Sequence, residues 1–189
     1  MTPTAYLEMA EAETGHWWFL GRRSILADAL KRLDLPDDAE ILEAGCGTGG
    51  NLPMLTEVGR VFAMELDDRA RAIAAQRHGA QAEIAEGACP ERIAFPGRRF
   101  DLICMFDVLE HIAEDRATLE AMRARLAPGG RLLISVPAYP WLWGVHDEYL
   151  HHQRRYTAQR SHHRPHHRRG QPRGGAEAAA AIDGALQHR

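Results

Sequence analysis

A chain of 189 residues, 45% hydrophobic and 26% charged, can bury one core without disulfides or a structural metal. No apolar run approaches the roughly 18–20 residues of a membrane span, and the acidic start MTPTAYLEMAEAE lacks the basic and apolar regions of a secretory leader. A net charge of −3 gives no overall pull toward nucleic acid or an anionic membrane.

Apolar residues return at helical spacing over 5–15 and more strongly over 22–33, where Ile25, Leu26, Ala29, Leu30 and Leu33 share a face. Pro36-Asp37-Asp38 breaks the chain. Residues 39–44 predict a short strand running into a Gly-rich turn, and 51–58 a helix with Pro53 tolerated in its first turn. A second strand follows over 60–65, then Asp67 as N-cap of a helix over 68–78. Residues 82–85 read as a weak third strand, and 99–105 as a fourth, apolar enough to be buried on both faces. A helix over 114–126, stopped by Pro128-Gly129-Gly130, leads to a fifth strand over 131–136. The order β-α-β-α-β-β-α-β predicts an α/β fold with a doubly wound, Rossmann-like parallel sheet.

Cys46, Cys89 and Cys104 are odd in number and widely spaced, which suits neither a disulfide framework nor a zinc site. A reducing cytoplasm is the expected compartment. Charge is uneven. Residues 158–189 hold six Arg against Glu177 and Asp183, a net of +4, which leaves −7 on residues 1–157. This tail has no aromatic residue and only Ile182 and Leu186 as large apolar ones, so it is expected to be a disordered appendage with a short helix in its Ala run. His162-His163-Arg164-Pro165-His166-His167 invites adventitious metal, but no carboxylate or Cys accompanies it, and no metal site is assigned. Without an aromatic to stack a base, the tail makes a poor nucleic-acid binder.

The turn after the first strand is Glu43-Ala44-Gly45-Cys46-Gly47-Thr48-Gly49-Gly50. Small residues let the backbone approach a ligand, and the following helix aims its free N–H groups at the same place. Gly45, Gly47 and Gly50 fit the GxGxxG of dinucleotide enzymes; Gly45, Gly47 and Gly49 fit a GxGxG. Glu43 would repel a pyrophosphate and attract a cation. Glu65, twenty residues after Gly45, ends the second strand, where a carboxylate can accept both hydroxyls of a ribose. The lesser alternative for Glu65 is a solvated strand end.

ILEAGCGTGGNL (41–52), VFAMELDD (61–68), FDLICMFDVLEHI (100–112) and LAPGGRLLISVP (126–137) together resemble the class I S-adenosylmethionine-dependent methyltransferases, in that family's order and spacing. The resemblance implies a methyltransferase domain over 1–157 using S-adenosyl-L-methionine and a small-molecule acceptor, with transfer most simply to oxygen. It implies that Glu43, Gly45 and Gly47 hold the amino-acid end of the cofactor and Glu65 its ribose. Cys46, Gly49, Asn51, Leu66 and Phe106 would complete the cofactor site, and Asp107 would stand at its mouth. Gly87-Ala88 replaces the acidic adenine reader often seen after strand three, which leaves adenine to backbone groups near Ala88. His16-Trp17-Trp18-Phe19 with Arg22-Arg23, and the segment from Pro137 through Trp141, Trp143, Asp147, His152, Arg155 and Tyr156, look like one branch of the family.

Methyl transfer mainly needs alignment and exclusion of water; a hydroxyl acceptor also needs a base. His152 is the candidate base among His146, His151 and His152, with Asp107 beside it in the catalytic set. His111 reads as structural. Trp17, Trp18, Trp141 and Trp143 could wall an apolar acceptor or pack as a lid. Arg22, Arg155 and Tyr156 complete the candidate acceptor site, Arg155 as a clamp for a carboxylate or phosphate. The resemblance stops at Thr157. The expectation is therefore a sheet lacking its last two strands, with strand five as an exposed edge and the tail read from a shifted frame. Two other outcomes stay open: a nicotinamide-dependent oxidoreductase using the same glycines, and a cofactor-binding remnant without turnover.

Overall fold

The computed structural model describes residues 3–157 and 178–182. Its helices are α1 (Pro3–Gly15), α2 (Trp17–Leu30), α3 (Leu52–Thr56), α4 (Asp68–His78), α5 (Asp115–Ala124) and α6 (Val145–Tyr149). Its strands are β1 (Glu40–Ala44), β2 (Arg60–Glu65), β3 (Ala82–Glu86), β4 (Phe100–Phe106), β5 (Leu126–Ser135) and β6 (Ala178–Ile182), arranged β3-β2-β1-β4-β5-β6. All pairings are parallel. This is the doubly wound sheet that the alternation of strands and helices predicts.

Alternate residues of each buried strand feed opposite layers, as a two-residue period requires. Ile41, Val61, Ala63, Leu102 and Cys104 pack with Leu26 and Leu30 of α2, Leu52 and Leu55 of α3, and Ala74 of α4. Leu42, Phe62, Met64, Ile103 and Met105 pack with Met122 of α5, Leu126 and Tyr156. Two apolar layers of this kind are the main stabilising term, at about 25 cal/mol per Å² of apolar area buried.

Helix ends follow local chemistry. Asp67 caps α4 as expected, accepting from the N–H groups of Arg69 and Ala70. α2 starts five residues earlier than its periodicity suggests, because the His16 ring accepts from Trp18 N–H and caps it there. Pro128-Gly129-Gly130 does not stop α5. That helix ends at Ala124, where the Arg125 side chain turns away to donate to the carbonyls of Arg98, Ala94 and Phe95. The Pro-Gly-Gly lies inside β5, and the ladder to β4 shifts register between Phe100 and Leu102 to accommodate it.

Strand five is not the exposed edge. β6 lies beside it, with Leu132 opposite Ala178 and Leu133 opposite Ala179. The Ala run expected as a helix is thus a strand: helix propensity is worth tenths of a kcal/mol per residue, and the open hydrogen-bonding edge of β5 overrides it. The rest of the tail, including the disorder and the shifted frame expected of it, lies outside the described residues.

Candidate active site

Open α/β sheets bind ligands beyond the carboxyl ends of their strands, where strand order reverses. Here that place lies between β1 and β4. The N–H groups of Gly45 and Cys46 both donate to Met64 O of β2, at 2.8 and 3.1 Å, which folds the turn back over the sheet. Gly45 has φ +76°, and a Cβ on it would stand 2.6 Å from Val108 Cγ2. Gly47 has φ +55°, but nothing lies within 4 Å of its added Cβ, so its free side faces open space. Any other residue would be strained at the first position and would fill the ligand side at the second.

Glu43 is fully buried. Asn51 Nδ2 donates to its Oε1 at 2.9 Å, whereas Oε2 has no hydrogen-bond partner among the described residues. Burial pushes its carboxyl up to about 8, against the lowering effects of Asn51 and Arg22. Burial, with Glu43 and Glu65 nearby, also pushes the Cys46 thiol up, so Cys46 lines the turn as an inert group. Glu65 is preset: Gly47 N–H donates to Oε2 and Asp67 N–H to Oε1, each at 2.9 Å. A carboxylate oxygen has two lone pairs, so each keeps one for a hydroxyl. Leu66 is exposed beside it, and residues 65–69 line a shallow depression. A larger depression, lined by Asp37, Glu40, Gly59 and Arg60, lies at the opposite ends of β1 and β2 and contains none of the motif residues.

Gly87 packs against Met64, and its N–H reaches Glu65 O at 3.4 Å. The Ala88 N–H expected to read adenine is engaged by Arg92 O at 2.9 Å, and Ala88 O accepts from Arg92 N at the same distance.

At the end of β4, Phe106 is buried and Asp107 holds φ +56°. That conformation costs a non-glycine residue about 1–3 kcal/mol. The Asp107 N–H donates to Ser135 O, and Ser135 Oγ donates to Asp107 Oδ1, both at 3.0 Å. Arg22 of α2 closes the mouth: it pairs with Asp107 Oδ2 at 2.7 Å, reaches Ser135 Oγ at 3.3 Å, and lies over the rings of Trp18 and Phe106 at 5.6 and 5.8 Å. Arg22, Trp18, Phe106 and Asp107 therefore converge. Trp17, Trp141 and Trp143 are exposed, and among the described residues no ring contact joins the two tryptophan pairs.

The segment after β5 turns two expected acceptor residues inward. Arg155 does not face an acceptor. It is buried and donates twice to Asp147, at 2.7 and 2.8 Å, and once to Ala138 O at 3.1 Å. Tyr156 is also buried, with its hydroxyl 3.2 Å from Asp115 Oδ2 and 3.4 Å from Leu109 O. His152 Nδ1 is held by Asp147 Oδ1 at 2.9 Å, and its ring meets His111 edge-on at 4.7 Å. Burial alone would raise the Asp147 carboxyl, but hydrogen bonds from Arg155, His152 and Gly144 hold it well below the usual carboxylate range.

Sequence reasoning missed three participants. Glu13 of α1 accepts from Thr48 Oγ1 at 2.6 Å and from Arg77 at 3.1 Å, which seats α1 on the glycine turn. Ser135 orients Asp107. Glu110 is 1% exposed with Oε2 unpartnered, and burial and Asp107 push its carboxyl up to about 8. Glu110 and Ser135 both lie in the motif segments; nothing local marks Glu13.

The site fits S-adenosyl-L-methionine: a buried unpartnered carboxylate oxygen suits an ammonium, Gly47 leaves room for close approach, and Glu65 is preset for a ribose. The sequence pattern of the methyltransferase domain matches residues 18–173, which runs past Thr157. A ubiquinone biosynthesis O-methyltransferase of Cereibacter sphaeroides is 34% identical over 100 residues, covering 50% of this chain and 40% of that protein. A probable S-adenosylmethionine-dependent methyltransferase of Mycolicibacterium smegmatis is 29% identical over 99 residues, covering 52% and 38%. The chain thus matches about two-fifths of the length of these curated relatives. Among solved structures, S-adenosylmethionine-bound CalS10 from Micromonospora echinaspora, an amino pentose methyltransferase involved in calicheamicin biosynthesis, aligns with TM-score 0.55 and 31% identity over 68% of this chain and 54% of its own. DesVI of Streptomyces venezuelae shares the fold, with TM-score 0.61 and 20% identity over 76% and 61%. With its sheet order, glycine turn and paired carboxylates in place, the chain belongs to the methyltransferase domain family, in the class I S-adenosylmethionine-dependent group.

Proposed function

We propose that this chain transfers the methyl group of S-adenosyl-L-methionine to an oxygen of a small-molecule acceptor. The observation that carries the cofactor half is Glu43 Oε2, buried and unpartnered at the glycine turn. A buried carboxylate wants a cationic or donor partner, which an amino acid's ammonium supplies and a pyrophosphate does not. This disfavours the nicotinamide alternative. Oxygen as the target draws on the ubiquinone O-methyltransferase relative; the amino pentose enzyme keeps a sugar acceptor within the same small-molecule class.

The cofactor supplies a methyl group activated on a sulfonium. The chain's own residues do the rest. Glu43, with Asn51 behind it, takes the ammonium; Glu65 takes the ribose hydroxyls; Gly45 and Gly47 set the approach. Arg22, held by Asp107 and flanked by Trp18, roofs the mouth where an acceptor enters, and excludes water there. Thermal unfolding with S-adenosylhomocysteine, with NAD and with neither tests this reading. A ligand that binds only the folded chain raises the midpoint, so a rise with the first and not with NAD is expected. Turnover on a panel of phenols, catechols and sugars then reads the acceptor; a rise with NAD alone, or methylation confined to nitrogen acceptors, would overturn the proposal.

A further inference from the structure

Beyond the cofactor turn, one cluster is built for a ligand that the motifs do not name. One carboxylate oxygen of Glu110 and one ring nitrogen each from His111 and His152 lie within 4.8 Å of one another. Glu110 is buried and its Oε2 has no partner among the described residues, so a polar atom more than nine-tenths hidden stands unpaired within this set. One ring is held from behind: His152 Nδ1 is fixed by Asp147, itself clamped by Arg155, and the His111 ring packs edge-on against it. A histidine whose outer nitrogen is held by a carboxylate or a carbonyl presents the other nitrogen as a neutral donor, the usual arrangement behind a metal-bound imidazole.

We propose that Glu110, His111 and His152 form a site for a divalent transition-metal cation of the Zn²⁺ type, with open positions for an oxygen of the acceptor. Two imidazoles and one carboxylate suit Zn²⁺, Co²⁺ or Mn²⁺ better than Mg²⁺ or Ca²⁺, which prefer oxygen ligands. Bonds of about 2.0–2.2 Å need donor atoms about 3–4 Å apart, so side-chain rotations of about an ångström close the set. Three protein ligands leave coordination positions free. A hydroxyl bound there has its pKa lowered and loses its proton to bulk water. Glu110 and His111 lie in the turn after β4, just past Asp107 at the mouth, and His152 joins them from the segment after α6. Its use by an acceptor rests on the methyl-transfer reading; metal binding itself does not.

The test is titration of the full chain with CoCl₂, followed by visible absorption and equilibrium dialysis. One Co²⁺ per chain with a strong d–d band is expected. His111→Ala, at an exposed position, should weaken binding at least tenfold, and Glu110→Gln likewise. A variant with His162, His163, His166 and His167 all changed to Ala should keep the band. The S-adenosylhomocysteine midpoint shift, measured on the same variants, should persist, which shows the fold intact and separates failure here from failure of the cofactor reading. No band at millimolar Co²⁺, an unchanged affinity in His111→Ala, or loss of the band with the tail histidines would overturn the site.

Discussion

Replacing Glu43 by Gln gives the sharpest test of how the cofactor turn works. The carboxyl rises from an ordinary 4.5 to about 8 because it is buried, so the folded chain holds a proton that the unfolded chain releases. The stability that Glu43 contributes is present in full below about pH 4.5 and is lost as pH rises through about 8. One proton of difference gives a slope approaching about 1.4 kcal/mol per pH unit, and hence a loss of about 3–4 kcal/mol between pH 5 and 8. Gln is neutral throughout, keeps the shape and removes that slope. Glu110, raised in the same direction, leaves its own. Urea denaturation at several pH values measures both curves. The variant should be flatter by about one proton's slope and relatively more stable at high pH. Ligand binding should move the opposite way. An ammonium at Oε2 favours the ionised carboxyl, so S-adenosylhomocysteine should bind the parent chain at pH 7 with release of a proton. The variant should bind about tenfold or more weakly with no release, since a charge-assisted hydrogen bond is worth about 1.5–3 kcal/mol. Calorimetry in two buffers of different ionisation enthalpy reads the proton. Parallel denaturation curves, or unchanged affinity and proton release, would refute the reasoning.

Arg155→Met leaves Asp147 buried without its bidentate partner, and chemical denaturation should show a loss of about 3–5 kcal/mol. Because the Asp147 carboxyl is held below its usual range, its contribution is present above about pH 3.8 and is lost as pH falls below it. The variant's acid-unfolding curve should therefore be shallower. Asp67→Ala removes the α4 cap and the acceptor of the Tyr6 hydroxyl; about 1 kcal/mol of stability should go, with the S-adenosylhomocysteine response retained. Gly45→Ala meets both a positive φ and Val108, so it should lower the melting point and abolish that response. Adding Val108→Ala should recover only the part due to contact.

The strands, their order in the chain and the cofactor turn were legible because their signals are local. Short, nearly continuous apolar runs mark β1, β2 and β4, glycine spacing marks the turn, and a fixed interval sets Glu65 opposite it. Asp67 was legible as a cap for the same reason. The limits of local reading show at three places. α2 begins at His16 through a cap outside its apolar stripe. The Ala run became β6 because the bare edge of β5 outweighs helix propensity. Arg155 and Tyr156 lie in a recognisable segment, but only the folded chain shows them turned inward onto Asp147 and Leu109.

Local patterns suffice for an α/β sheet, for a glycine turn flanked by Glu43 and Glu65, and for a methyltransferase motif set. Each follows from side-chain period and from short-range backbone geometry. Three-dimensional packing alone brings Arg22 of α2 to Asp107 just past β4, seats α1 on the turn through Glu13, and delivers His152 to Glu110 and His111. Those contacts join residues tens of positions apart, and the packing of helices on two sheet faces, not any local pattern, selects which charged groups meet.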